Sequence, residues 1–158
     1  MRNSVILLCE GKMKNFVLLV TTVFFALSVN LVSAAEIRVK MLNKDADGNK
    51  MVFEPMLIYA EKGDTVIFEP TEKGHMAASM KGMIPEGIEK FKGKINKEVS
   101  IVVSEEGLYG IKCTPHFANG MVALIAVGEV DTEGFLEGKK IPKKSRVRME
   151  EMIAQLSK

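Results

Sequence analysis

Cys113, His116 and Met121 fall in one short run, Cys113-Thr-Pro-His-Phe-Ala-Asn-Gly-Met121, and the only other histidine of the chain is His75. One thiolate, two imidazoles and one thioether are the donor set of a trigonal Cys/His/His copper site with a weak axial methionine. Cu(I) favours soft, low-coordinate surroundings and Cu(II) favours nitrogen ligands, so a mixed set lets one ion change oxidation state with little rearrangement. Zinc would accept Cys/His/His with an open position, but a thioether is a poor fourth ligand for it. Taken singly, the residues are unremarkable: a lone cysteine is usually a small buried residue, and a methionine opening a strand is usually core. Their conjunction predicts one copper ion held by His75, Cys113, His116 and Met121.

The elements that must position these groups read as short strands. Glu36–Leu42 alternates polar and apolar residues, and Met51–Tyr59 is extended with Pro55 forcing a break or an edge. Thr65–Glu69 is rich in β-branched residues, and strands follow at Glu98–Val103, Leu108–Cys113 and Val122–Val127. The last is apolar throughout, as a strand covered on both faces is. Cys113 thus ends a strand, Thr114-Pro115 turns the chain, and Gly120 lets the loop close before Met121 opens the next strand. Residues 71–97 carry five of the glycines and prolines and form a long connection, with one helical turn expected near Pro85–Glu89. Beyond Gly128, Asp131–Gly138 reads as a short helix capped by Asp131. A second helix, Lys143–Leu156, opens after Pro142, with Val147, Met149, Ile153 and Leu156 as its apolar stripe. The fold class expected is mostly β: a sandwich of seven or eight strands over residues 35–128, with two C-terminal α-helices in residues 129–158 packed on the same domain.

The first 34 residues stand apart. Lys12 and Lys14 precede an apolar stretch, Phe16–Leu27, and Val32-Ser33-Ala34 places small residues where a signal peptidase cuts, near Ala34/Ala35. Met13 offers a second start. An uncleaved membrane anchor is the other reading, disfavoured by the shortness of the run. The whole chain of 158 residues has 22 basic and 20 acidic side chains. The leader takes Arg2, Lys12, Lys14 and Glu10 and leaves 19 against 19, which excludes a strongly basic nucleic-acid binder. Cys113 becomes the only cysteine, so no internal disulfide can form, and an idle thiol in an oxidising compartment would be a liability.

Gly74-His75, Cys113-Thr-Pro-His116 and Gly120-Met121 resemble the type 1 copper site of the cupredoxins, most closely of the pseudoazurins. The likeness extends through Met51–Pro55, Gly63–Val66, Met83–Gly87, Lys92–Asn96, Gly107–Tyr109 and Ala123–Gly128. It implies a Greek-key sandwich and a small, monomeric periplasmic electron carrier that is not an enzyme. It also implies redox partner proteins: an upstream donor, and an acceptor such as copper nitrite reductase. The histidine matching His116 lies in that family under an apolar patch ringed by lysines, here Lys44, Lys73, Lys92 or Lys94, and Lys112. Met51, Met76 and Pro115 match positions around the ligands. Two departures stand out: Met76 replaces an asparagine whose side chain ties the ligand loops, and Asn119 replaces a methionine of the docking patch. Pro115 has no N–H to offer the sulfur.

The strongest rival is a periplasmic copper carrier, in which Met76, Met80 and Met83 with His75 would form a Met-rich Cu(I) patch. Buried packing methionines would give the same pattern. A thiol hydrolase built on Cys113 and His116 lacks a third orienting residue, and two histidines cannot assemble a multicopper cluster.

Overall fold

The computed structural model describes residues 33–157, so the leader expected over residues 1–34 lies outside them apart from its last two residues. Eight strands form two four-stranded sheets: β1 Glu36–Lys44, β2 Lys50–Glu54, β3 Leu57–Ala60, β4 Thr65–Glu69, β5 Ala78–Ser79, β6 Val99–Val102, β7 Gly107–Lys112 and β8 Val122–Val127. The first sheet has the order β2-β1-β4-β6 and the second β3-β8-β7-β5. The β1–β4 and β3–β8 pairs are parallel and the rest antiparallel. Met56 and Pro55 separate β2 from β3, so the expected break at Pro55 is where the chain crosses from one sheet to the other. This is the mostly-β sandwich that the alternating patterns predict.

Alternation decides which side chains meet between the sheets. Val39 and Met41 of β1 are buried while Arg38 and Lys40 are exposed. They join Phe53, Val66, Phe68, Tyr109, Ile111, Ala123 and Ile125 in one apolar cluster that also takes in Cys113 and Met121. Phe53 meets Phe68 edge to face at 5.5 Å between ring centroids. All six residues of β8 are buried because its other face is covered too. Val122, Leu124 and Ala126 pack in a second cluster with Met149 and Met152 of the C-terminal helix α1, Lys143–Leu156. Each such valine, leucine or methionine side chain, fully removed from water, stabilises the fold by about 1.5–3 kcal/mol.

Three local expectations are corrected. Asp131–Gly138 is a series of turns rather than a helix, so one C-terminal helix is present among the described residues where two were expected. Gly134 and Gly138 there adopt φ of 66° and 64°, which a right-handed helix cannot contain. Pro85–Glu89 is likewise a turn, closed by the Ile88 amide on the Pro85 carbonyl. The buried face of α1 runs through Ser145, Met149 and Met152, and Val147 points to solvent, 45% exposed. The long connection also contributes β5, a two-residue strand too short to leave a periodic signal.

Candidate metal centre

Two chain segments build the centre. Cys113 follows β7 directly, and its amide donates to the Met121 carbonyl at 3.0 Å, so the two ends of the ligand loop are already paired. Within the loop the His116 amide bonds the Cys113 carbonyl (3.1 Å) and the Met121 amide bonds the His116 carbonyl (3.2 Å). A 3₁₀ turn over Phe117–Asn119 ends at Gly120, whose φ of 96° returns the chain toward Met121. His75 comes from the connection after β4. Its neighbour Gly74, at φ 96°, lies against the His116 ring: a Cβ there would stand 3.8 Å from His116 Cε1. Asn96 holds this second segment, accepting from the Gly74 amide at 2.6 Å and donating its own amide to the His75 carbonyl at 2.9 Å.

The donor atoms converge. Cys113 Sγ lies 3.6 Å from His116 Nδ1 and 4.0 Å from His75 Nδ1, and the two Nδ1 atoms are 3.1 Å apart. Cys113 and His75 have no exposed surface and His116 is half-buried, so only His116 brings the centre to solvent. The remaining nitrogen of His75, Nε2, lies 3.1 Å from Asn43 Oδ1. That oxygen can only accept, so Nε2 carries the proton and Nδ1 turns a bare lone pair inward. Burial and then the neighbouring His116 ring hold His75 below the ordinary histidine value, which keeps that lone pair available.

Burial pushes the Cys113 thiol up, against the opposing pull of the Met76 and His116 backbone N–H groups directed at the sulfur. A metal cation entering here must displace a proton. Two imidazole lone pairs and a buried thiol turned on one another, with no carboxylate among them, fit a borderline-soft cation. The residues therefore suit copper, and Met121, wholly buried beside Cys113 in the same cluster, is the adjacent thioether.

The structure thus brings together His75, Cys113 and His116, with Met121 next to them in the core. Met76 is buried, and its backbone N–H is directed at the Cys113 sulfur. Met51 is half-buried against the same cluster at φ 54°, and Pro115 and Asn119 are exposed. Of the docking lysines, Lys44, Lys73 and Lys92 are exposed, and Lys112 sits with its Nζ 4.9 Å above the Phe117 ring. Met76, Met80 and Met83 are each at most 4% exposed and divide between the two apolar clusters, so they form no open thioether patch.

Sequence reasoning missed Asn43, Asn96 and Arg148. Arg148 of α1 donates to the Gly120 carbonyl (2.7 Å), the Met51 carbonyl (2.8 Å) and the Lys50 carbonyl (3.0 Å), tying the helix to both β2 and the ligand loop. Asn43 carries a faint signal, a polar residue closing an alternating strand. The other two carry none, because their partners are backbone atoms distant in sequence.

The model of copper binding proteins of the plastocyanin/azurin family matches residues 39–128. A pseudoazurin of Paracoccus pantotrophus is 47% identical over 125 residues, 78% of this chain and 86% of that protein. The crystal structure of native pseudoazurin from Hyphomicrobium denitrificans superposes with a TM-score of 0.72 at 42% identity, covering 76% of this chain and 97% of that one. The pseudoazurin structure from Methylobacterium extorquens gives 0.71 at 38% identity, covering 77% and 98%.

Proposed function

Since the chain belongs to the plastocyanin/azurin family of copper-binding proteins, in its pseudoazurin branch, we propose that it is a periplasmic carrier passing single electrons to a respiratory enzyme of denitrification such as copper nitrite reductase. Copper electron transfer follows from the family, and with it a protein that is not an enzyme. The acceptor, the compartment and the roles of individual residues are our reading. The observation that carries it is the convergence of His75 Nδ1, Cys113 Sγ and His116 Nδ1 in a buried, carboxylate-free cluster.

His75, Cys113 and His116 hold the metal in this reading and Met121 completes the set. Copper when bound supplies the Cu(II)/Cu(I) couple. The protein's own part is to keep the donors fixed and dry. Asn43 and Asn96 hold His75, the Met76 and His116 amides face the sulfur, and Pro115, having no N–H, leaves it without a further donor. His116, as the half-buried donor, is the exit for the electron.

Docking takes place beside it. Phe117, next to His116 in the chain, and Lys112, whose Nζ lies over the Phe117 ring, line a cleft of about 560 Å³ with Lys81, Lys139 and Lys140 over an apolar floor that includes Met80 and Ile141. No acidic side chain lines it. On a protein whose charges otherwise balance once the leader is gone, such a face steers an acidic partner and still releases it quickly. Residues 1–34 act as the export signal, cut between Ala34 and Ala35, and the released chain of residues 35–158 works as a monomer.

Stopped-flow reoxidation of the ascorbate-reduced protein by copper nitrite reductase tests this. Expected is a second-order rate that falls steeply with salt, and that drops on the order of 10-fold in K112E at low ionic strength. A rate indifferent to both salt and K112E contradicts the docking reading.

A further inference from the structure

We propose that removal of the leader creates an ion pair inside the fold, between the new α-ammonium of Ala35 and the carboxylate of Asp64. The inference rests on the cleavage reading above and not on the copper reading. It starts from an unbalanced charge. Asp64 is 7% exposed, and its two oxygens accept from two backbone amides: Ala35 N to Oδ1 at 2.7 Å and Glu61 N to Oδ2 at 2.8 Å. These two N–H groups hold the carboxyl below its usual range despite the opposing effect of burial, and no charged side chain contributes. None of the ion pairs among the described residues includes Asp64. A buried carboxylate satisfied only by neutral donors lacks its cation.

Processing delivers a cation to the same atom. Water adds across the Ala34–Ala35 peptide bond; Ala34 leaves as a carboxylate, and the Ala35 nitrogen gains protons to become –NH₃⁺ at neutral pH. That nitrogen is already 2.7 Å from Asp64 Oδ1, and the Ala35 carbonyl is pinned by the Thr65 amide at 2.8 Å, so the terminus needs no reorganisation to pair. Ser33, Ala34 and Ala35 are exposed, leaving room for a leader before cleavage and for a hydrated ammonium after it. The groups around this end of the molecule favour a positive charge. Glu61, Glu106 and Glu129 line the same depression as Asp64, and Glu36 is the next residue. The nearby Lys62 is engaged with Glu105 at 2.9 Å. A neutral hydrogen bond therefore becomes a charge-assisted one on maturation, and the start of the β1–β4 pairing is tightened in the mature chain relative to the unprocessed chain.

The sign of the pH dependence follows. Pairing raises the terminal amine above its free value of about 8, so its contribution is complete below that pH and is lost as pH rises through the raised value. The Asp64 contribution is present above about pH 4 and is lost as pH falls through its lowered value.

The test compares copper-loaded chains beginning at Ala35 and at Ser33 preceded by methionine, each with Asp64 and with D64N. Mass spectrometry of the exported protein must first give a chain beginning at Ala35. Expected is a Tm about 4 °C higher for the Ala35 chain at pH 7. That gap should close above pH 9 and be absent in the D64N pair. If D64N does not fold, NMR titration of the Ala35 α-amine in the mature protein serves instead, and a pKa above about 8 is expected. An exported chain starting elsewhere, equal Tm values at pH 7, or an amine titrating at its free value overturns the proposal. The copper spectrum is unaffected in every case, so the two readings fail separately.

Discussion

At His75 a single contact decides which nitrogen faces the centre. Asn43 Oδ1 takes the Nε2 proton, and Nδ1 is left as a donor toward Cys113 and His116. Asn43→Ala frees the ring to rotate and to change tautomer. We expect copper binding weaker by about 10-fold, read by competition with a chelator, with the ligands themselves intact. Unchanged affinity would show that packing alone orients the ring. The ligand residues were legible because their chemistry is rare and their number small: both histidines and the one cysteine of residues 35–158 had to serve together. Asn43 was not, since an asparagine at the end of a strand has many commoner uses. Asn96 fixes the backbone at Gly74 and His75, but both bonds lie within that connection and neither reaches the Cys113–Met121 loop.

Among the elements, α1 does more than cover a sheet. Its Met149 and Met152 seal the outer face of β8, while Arg148 bonds carbonyls of β2 and of the loop that ends in Met121. Met152→Ala should cost about 2–5 kcal/mol in denaturant unfolding, and Val147→Ala, on the solvent side, less than about 0.5 kcal/mol. A comparable loss at both positions would refute the observed helix face. Arg148→Lys keeps the charge but cannot reach three carbonyls at once. Because Gly120 precedes Met121, the variant should stay blue yet show an altered copper EPR rhombicity, and an identical EPR spectrum would mean that the clamp only stabilises. The sequence pattern placed α1 to the residue, since Pro142 and the uninterrupted helix formers mark it. Its rotation was misjudged because Met152 and Ser145, not Val147, complete the stripe that β8 requires. Asp131 offers a helix cap, but Gly134 and Gly138 at positive φ break 131–138 into turns.

On the scale of the whole molecule, a sandwich with one sheet covered by α1 brings two segments separated by some forty residues to one point, and Phe117, next to His116 in the chain, opens onto a lysine-lined cleft. Sheet order and the parallel β1–β4 and β3–β8 pairs are long-range choices that periodicity does not encode. The resemblance of the ligand loops implied a Greek-key sandwich, without the strand order or the pairing. The central claim is that this fold holds copper in a thiolate-bound, redox-active form. It is tested most directly by the visible absorption and EPR spectra of the protein with one equivalent of Cu(II), before and after ascorbate. The account predicts an intense thiolate-to-copper charge-transfer band with small copper hyperfine splitting, reversibly bleached on reduction. A pale solution with the large hyperfine splitting of tetragonal Cu(II) would contradict it.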